Sequence, residues 1–178
     1  MAWIQTVSGR MFDFEQCVPE DIYVEDIAHA LSNTCRFGGH LRDFYSVAQH
    51  SVHVAERAKN QKLGLMHDGS EAYIHDVTRP LKKLLGYTYA HIENRIMQCV
   101  YKRYDVQFSM DDKQDLHIVD MRMLVTEAMQ LHPKGIHSMW DVDVKEYPPY
   151  PLKLVPWPPR IAKENFLMLF TSLFGKKV

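Results

Sequence analysis

Asp120 sits among Ile118, Val119, Met121, Met123, Leu124 and Val125, in the middle of a segment that reads as one long helix. A fold that buries this helix also buries a carboxylate, and an unpaired buried carboxylate is either strongly destabilising or forced neutral. The chain must therefore bring an ion or a basic partner to this point. Arg95 and the neighbours of Arg122 are the plain structural partners; a metal ion is the alternative.

The long helix has clear ends. Ser109 with Asp112 forms a capping box at its start, and its apolar pattern runs to Leu131 before Pro133 and Gly135. Most of the remaining chain also reads as helix or loop. "WIQTVSGRMFDF" alternates weakly around Ser8-Gly9 and reads as a short hairpin, the one β element expected. "PEDIYVEDIAHALSN", 19–33, starts with proline and acids and predicts a helix from Pro19. Ser46 and Gln49 read as a second capping box, for a helix over 47–60. A helix over 63–73 follows, then a loop through "HDVTRP", a turn begun by Pro80 and a helix over 89–104 with Ile92, Ile96 and Val100 four apart. "YPPYPLKLVPWPPR", 147–160, reads as a packed loop bridging two helices, and an apolar helix ending at Gly175 closes the chain. The expected fold is all-α: a compact helical bundle with a short N-terminal β-hairpin, one domain over 1–178, its C-terminal loop and helix spanning 147–175.

Candidate ligands for an ion beside Asp120 lie in "GLMHDGSEAYIHDVTRPLKK". His67 and Asp68 are consecutive, so on a helix they point about 100° apart and share an ion only if other elements close round it. Glu71, four after His67, falls on the same face. His50, in the first turn of the preceding helix, can fold back across "KNQKLG". His50, His67, Asp68 and Asp120 together make a two-imidazole, two-carboxylate set suited to a divalent metal. His53, three after His50, and His117, three before Asp120, are rivals, and packing explains both equally well.

Composition narrows the function classes. A formal charge of -1 gives no whole-chain drive toward nucleic acid or an anionic membrane, so an anionic ligand would need a local site. Cys17, Cys35 and Cys99 are widely spaced and odd in number, as expected of reduced thiols in a cytoplasmic protein. No apolar run approaches the roughly 20 residues of a membrane span, and "MAWIQTVSGR" lacks the pattern of a signal peptide.

The ordered set "AQHS…MHDGSEAYIHDVTRPLK…VD" resembles the HD-domain phosphohydrolases, in the branch of the bacterial 5'-deoxynucleotidases and bacteriophage dATP triphosphohydrolases. The resemblance covers about 36–127. It implies metal ligands at His50, His67, Asp68 and Asp120, in agreement with the set above. It also implies an acid beside the metal at Glu71, a catalytic Asp76, and a substrate-lining Val77, Thr78 and Arg79. An Arg-aromatic pair that orients phosphate and stacks near the nucleotide corresponds to Arg36-Phe37, with Phe where the deoxynucleotidases have tryptophan. The seventeen-residue spacing from His50 to His67 leans toward the phage-like branch.

The implied activity is metal-dependent cleavage of the 5'-phosphoester of a deoxynucleotide, giving deoxynucleoside plus triphosphate or phosphate. dATP triphosphohydrolase leads, and a 5'-deoxynucleotidase acting on monophosphates is the alternative. Zinc, cobalt, manganese or magnesium would serve. Arg36, with Arg79 and Lys82, is the expected source of positive charge for phosphate, and Glu71 and Asp76 are the expected proton carriers. A small-molecule substrate and a homo-oligomeric assembly are expected, with no nucleic acid or membrane partner. Two other classes stay open: a metal oxygenase of the same superfamily drawing on His53, His75 and His91, and a non-catalytic nucleotide sensor.

Overall fold

The computed structural model describes residues 2–136, 140 and 142–175; the ends of the expected 1–178 domain, residues 1 and 176–178, lie outside it. The N-terminal hairpin is present as β1 (Trp3–Gln5) paired antiparallel with β2 (Met11–Asp13), with Ile4 opposite Phe12. Among the described residues the other main elements are helices: α1 (Val24–Asn33), α2 (Val47–Ala55), α3 (Gln61–Met66), α4 (Glu71–Ile74), α5 (Arg79–Tyr104), α6 (Met110–Leu131) and α7 (Pro159–Phe174).

Helix α2 is the hub, packing against α1, α3, α6 and α7. Its residues 47–52, 54 and 55 are all buried, including the polar Gln49, His50 and Ser51. The main core joins Ile22, Ile27 and Leu31 with Val47, Leu63, Leu65 and Met66 and with Phe166, Phe170 and Phe174 of α7. A smaller cluster, Tyr45, Val54, Val119, Met123, Leu131 and Leu154, locks α6 and the proline-rich segment onto α2.

Several boundaries differ from the sequence expectation. The helix expected from Pro19 is split: Pro19–Asp21 is a single 3-10 turn, Ile22 and Tyr23 are extended, and α1 begins at Val24. Ile22 is fully buried, and its carbonyl accepts from Arg103 and Tyr104 of α5, so tertiary bonds replace the helical ladder there. Ser46 caps α2 through the Gln49 N–H, but the Gln49 side chain does not complete the box. It donates to the Val155 carbonyl and accepts from the Trp157 N–H, fastening the proline-rich segment. Helix α2 stops at Ala55, well short of Asn60. The helix expected over 63–73 is broken into α3 and α4 by a turn in which the Gly69 N–H reaches back to Met66 O. The capping box of α6 is complete, as predicted, and α5 starts at Arg79 with Pro80 in its first turn. Gly86, at φ 65° and ψ -145°, interrupts α5 in a conformation that glycine alone adopts readily.

The proline-rich segment lies along α6. Thr126 accepts the Tyr150 N–H, Gln130 binds both Leu152 O and the Leu154 N–H, and Arg122 donates to Pro148 O while lying over the Tyr150 ring.

Gly64 is where α3 touches α2: a Cβ there would lie 2.8 Å from Ala55 Cα and 3.1 Å from Ala58 Cβ. Gly64→Ala gains roughly 1 kcal/mol of helix propensity. The clash with backbone that cannot yield costs about 1–3 kcal/mol and wins. A lower denaturation midpoint for this variant is expected in chemical unfolding, together with weakened metal binding, because Gly64 O also positions His67.

Candidate metal centre

Four parts of the chain converge below one cavity. Helix α2 brings His50 in its first turn, the C-terminus of α3 brings His67, the turn that follows brings Asp68, and α6 brings Asp120. His50 Nε2 lies 3.2 Å from Asp120 Oδ1 and 3.7 Å from Asp68 Oδ2, and His67 Nε2 lies 3.3 Å from Asp68 Oδ2. His50, His67 and Asp120 each present a ligand atom within 4.8 Å of the other two, a group that could hold a metal ion. Asp68, the fourth ligand expected from the sequence, has Oδ2 near both imidazoles but is not one of the three residues that meet in this group.

Hydrogen bonds on the far side of each ring decide what the rings offer. His50 Nδ1 is 2.7 Å from Glu127 Oε1, and His67 Nδ1 is 2.7 Å from the Gly64 carbonyl. Both acceptors require a proton on Nδ1, which leaves each Nε2 with its lone pair toward the centre in the neutral ring. Both Nε2 atoms are buried without a hydrogen-bond partner. Two buried imidazole nitrogens beside two carboxylates fit a divalent cation, and the donor set suits a borderline metal such as zinc, cobalt or manganese.

The electrostatics agree. Burial and Arg36 pull the His50 imidazole down, but Glu127 and Asp120 outweigh them and push its pKa up to about 10. Burial works against the Asp120 carboxylate, yet His50, His67 and Arg36 hold it well below the usual range. The surroundings thus favour positive charge between His50 and Asp120, whether a proton or a metal ion supplies it.

Glu127 is the functional residue that sequence reasoning did not single out. It is fully buried, accepts His50 Nδ1 on one oxygen and takes Arg36 Nε at 2.9 Å on the other. Its signal was available: seven residues after Asp120, it lies two helical turns along the same face, in an equally apolar stretch. Of the plain partners expected for Asp120, Arg95 donates instead to Phe14 O, and Arg122 itself donates to Pro148 O. Arg79 reaches Asp120 at 3.4 Å and is half exposed.

The remaining predicted residues line a cavity of about 850 Å³: Arg36, Phe37, Glu71, Asp76, Val77, Thr78, Arg79 and Lys82, together with Asp68 and Asp120. Burial and the charges of Asp68 and Asp76 push Glu71 well above the carboxylate range, and burial also raises Asp76. Lys82 is held by Glu93 at 2.6 Å and Glu71 at 3.5 Å, so its charge is already matched inside the protein. The rival histidines lie apart from the centre: His53 packs on Trp157, His117 on Tyr147, and His91 stacks on Tyr87.

No protein-family model matches the chain. It is 39% identical over 133 residues to the uncharacterized protein YfdR of Escherichia coli, covering 74% of this chain and 73% of YfdR. The chain belongs to the YfdR family. It is also 35% identical over 114 residues to an uncharacterized protein of Rhodobacter capsulatus, covering 58% of each.

Titration with cobalt, manganese or zinc should show one ion per chain. Asp120→Ala or His50→Ala should abolish stoichiometric binding, and His53→Ala should leave it unchanged. Glu127→Gln keeps the volume but weakens the acceptor for His50 Nδ1, and should lower affinity roughly 10- to 100-fold. Calorimetry, with circular dichroism as a folding control, measures all four.

Proposed function

We propose that this protein is an HD-type, metal-dependent phosphohydrolase that cleaves the 5'-phosphoester of deoxynucleotides. The leading substrate is dATP, with deoxyadenosine and triphosphate as products. The observation that carries this reading is the pair of His50 and His67 Nε2 atoms, buried and within 4.8 Å of each other and of an oxygen of Asp120, which itself lines a cavity of about 850 Å³. A bound divalent ion supplies Lewis acidity toward a phosphoryl oxygen and lowers the pKa of water.

The chain's own groups supply the rest. Arg36 lies over the Phe37 ring and within 3.8 Å of Asp68, so its remaining donors border both the ligands and the cavity. Its fork suits two phosphate oxygens at once. Arg79 and Lys83 add positive charge along the lining. Burial and the charges of Asp68 and Asp76 raise Glu71, which suits it to carry a proton, and Asp76 is the companion carboxyl for transfer to the departing 5'-oxygen. Lys82, pinned by Glu93, holds Glu71 in place and is not the main phosphate contact.

The oxygenase reading loses support because none of His53, His75 and His91 joins the group of His50, His67 and Asp120. A pure sensor has no use for two proton-carrying acids in the cavity.

Phosphorus NMR of products from dATP and dAMP, each with cobalt, manganese, zinc or magnesium, tests the proposal. Triphosphate should appear from dATP and vanish with a chelator. Orthophosphate from dAMP alone would instead assign a 5'-deoxynucleotidase. Glu71→Ala and Asp76→Ala should each lower kcat by roughly 10²- to 10⁴-fold, and unchanged turnover in both would sink the assignment of the acids.

A further inference from the structure

We propose that Trp140, with Phe37, forms an aromatic platform that stacks the base of the substrate, an inference resting on the nucleotide reading above. Phe37 has φ 56°, a left-handed conformation that bulky residues seldom adopt, and such strain concentrates at functional sites. The twist places its ring beside the Arg36 guanidinium, 5.5 Å away, and nearly parallel to Trp140, with ring centroids 6.0 Å apart and planes 20° apart. His132 meets Trp140 edge-on at 6.1 Å. All four line the cavity that holds Asp68 and Asp120.

The lining is divided in chemistry. Asp68 and Asp120, with Arg36 and Arg79 paired to them and Glu71 and Asp76 on the same lining, give the charged part, where the phosphoester lies on the reading above. The stacked Phe37 and Trp140 rings give the cavity flat, uncharged surface, and a base is the uncharged, flat part of a nucleotide. Arg36 joins the two regions through its contacts with Asp68 and the Phe37 ring. Among the described residues lining the cavity there is no Asn or Gln, the side chains that read adenine through paired hydrogen bonds. Stacking accepts any base face, so the platform holds all four bases and grips the larger purines more strongly.

The test compares wild type, Trp140→Ala and Trp140→Phe. Steady-state kinetics use dATP, dGTP, dCTP and dTTP, with inorganic triphosphate as a competitive inhibitor, and tryptophan fluorescence follows nucleotide binding. Trp140→Ala should raise KM roughly ten-fold or more for every nucleotide, most for purines, with a smaller change in kcat. Inhibition by inorganic triphosphate should be unchanged, and Trp140→Phe should recover most of the lost KM. Nucleotide should quench wild-type emission, and the quench should vanish in Trp140→Phe. Unchanged KM in Trp140→Ala, or an equal loss toward inorganic triphosphate, would overturn the platform. Quenching by dATP that disappears in Trp140→Phe, in a protein that hydrolyses none of the four, would uphold the platform and discard the hydrolase reading. No hydrolysis and no quenching would discard both.

Discussion

The Glu127 carboxylate, fully buried between the His50 imidazole and the Arg36 guanidinium, ties together the elements on which the rest depends. One oxygen accepts the His50 Nδ1 proton in a hydrogen bond and so turns Nε2 toward Asp120; the other anchors the loop that carries Phe37. A buried charge of this kind adds little to stability when replaced by apolar packing, but leaving it half-paired is severe. The arrangement therefore reads as positioning: α2, α6 and the Arg36 loop are fixed relative to one another by a bond that tolerates no slack.

Apolar packing sets the frame in which that bond can form. Helix α7 closes the core with Phe166, Phe170 and Phe174, the last two meeting Tyr104 edge-on, and α3 lies against α2 because Gly64 has no side chain. The proline-rich segment adds no ladder of its own. It is held by Gln49, Thr126 and Gln130, polar residues of α2 and α6 that give their side chains to its backbone. That division suits a segment with few N–H groups to offer.

Carboxylates collect at the centre in numbers that its cations do not match. Arg36 is shared between Glu127 and Asp68, and Lys82 between Glu71 and Glu93. The remaining demand for positive charge falls between His50, His67 and Asp120. A proton on His50, Arg79 beside Asp120, or a bound cation each meets part of that demand.

Much of this was legible in the residues themselves. Asp120 in an apolar helix required a partner, the Ser109 box set where that helix begins, and the histidine-aspartate pair with His50 pointed to an ion. Where the helices break was not legible. The expected helix over 63–73 is severed at the turn carrying Asp68, and the one expected from Pro19 is displaced to Val24, because buried contacts there outweigh local propensity. Glu127 looked like any helix glutamate until His50 and Arg36 closed on it, and Trp140 had no visible connection to Phe37 across a hundred residues. Sequence alone determined which residues could not be buried without help; only the tertiary structure decided which groups supply that help, because hydrogen-bond partners far apart along the chain are chosen by packing and not by spacing.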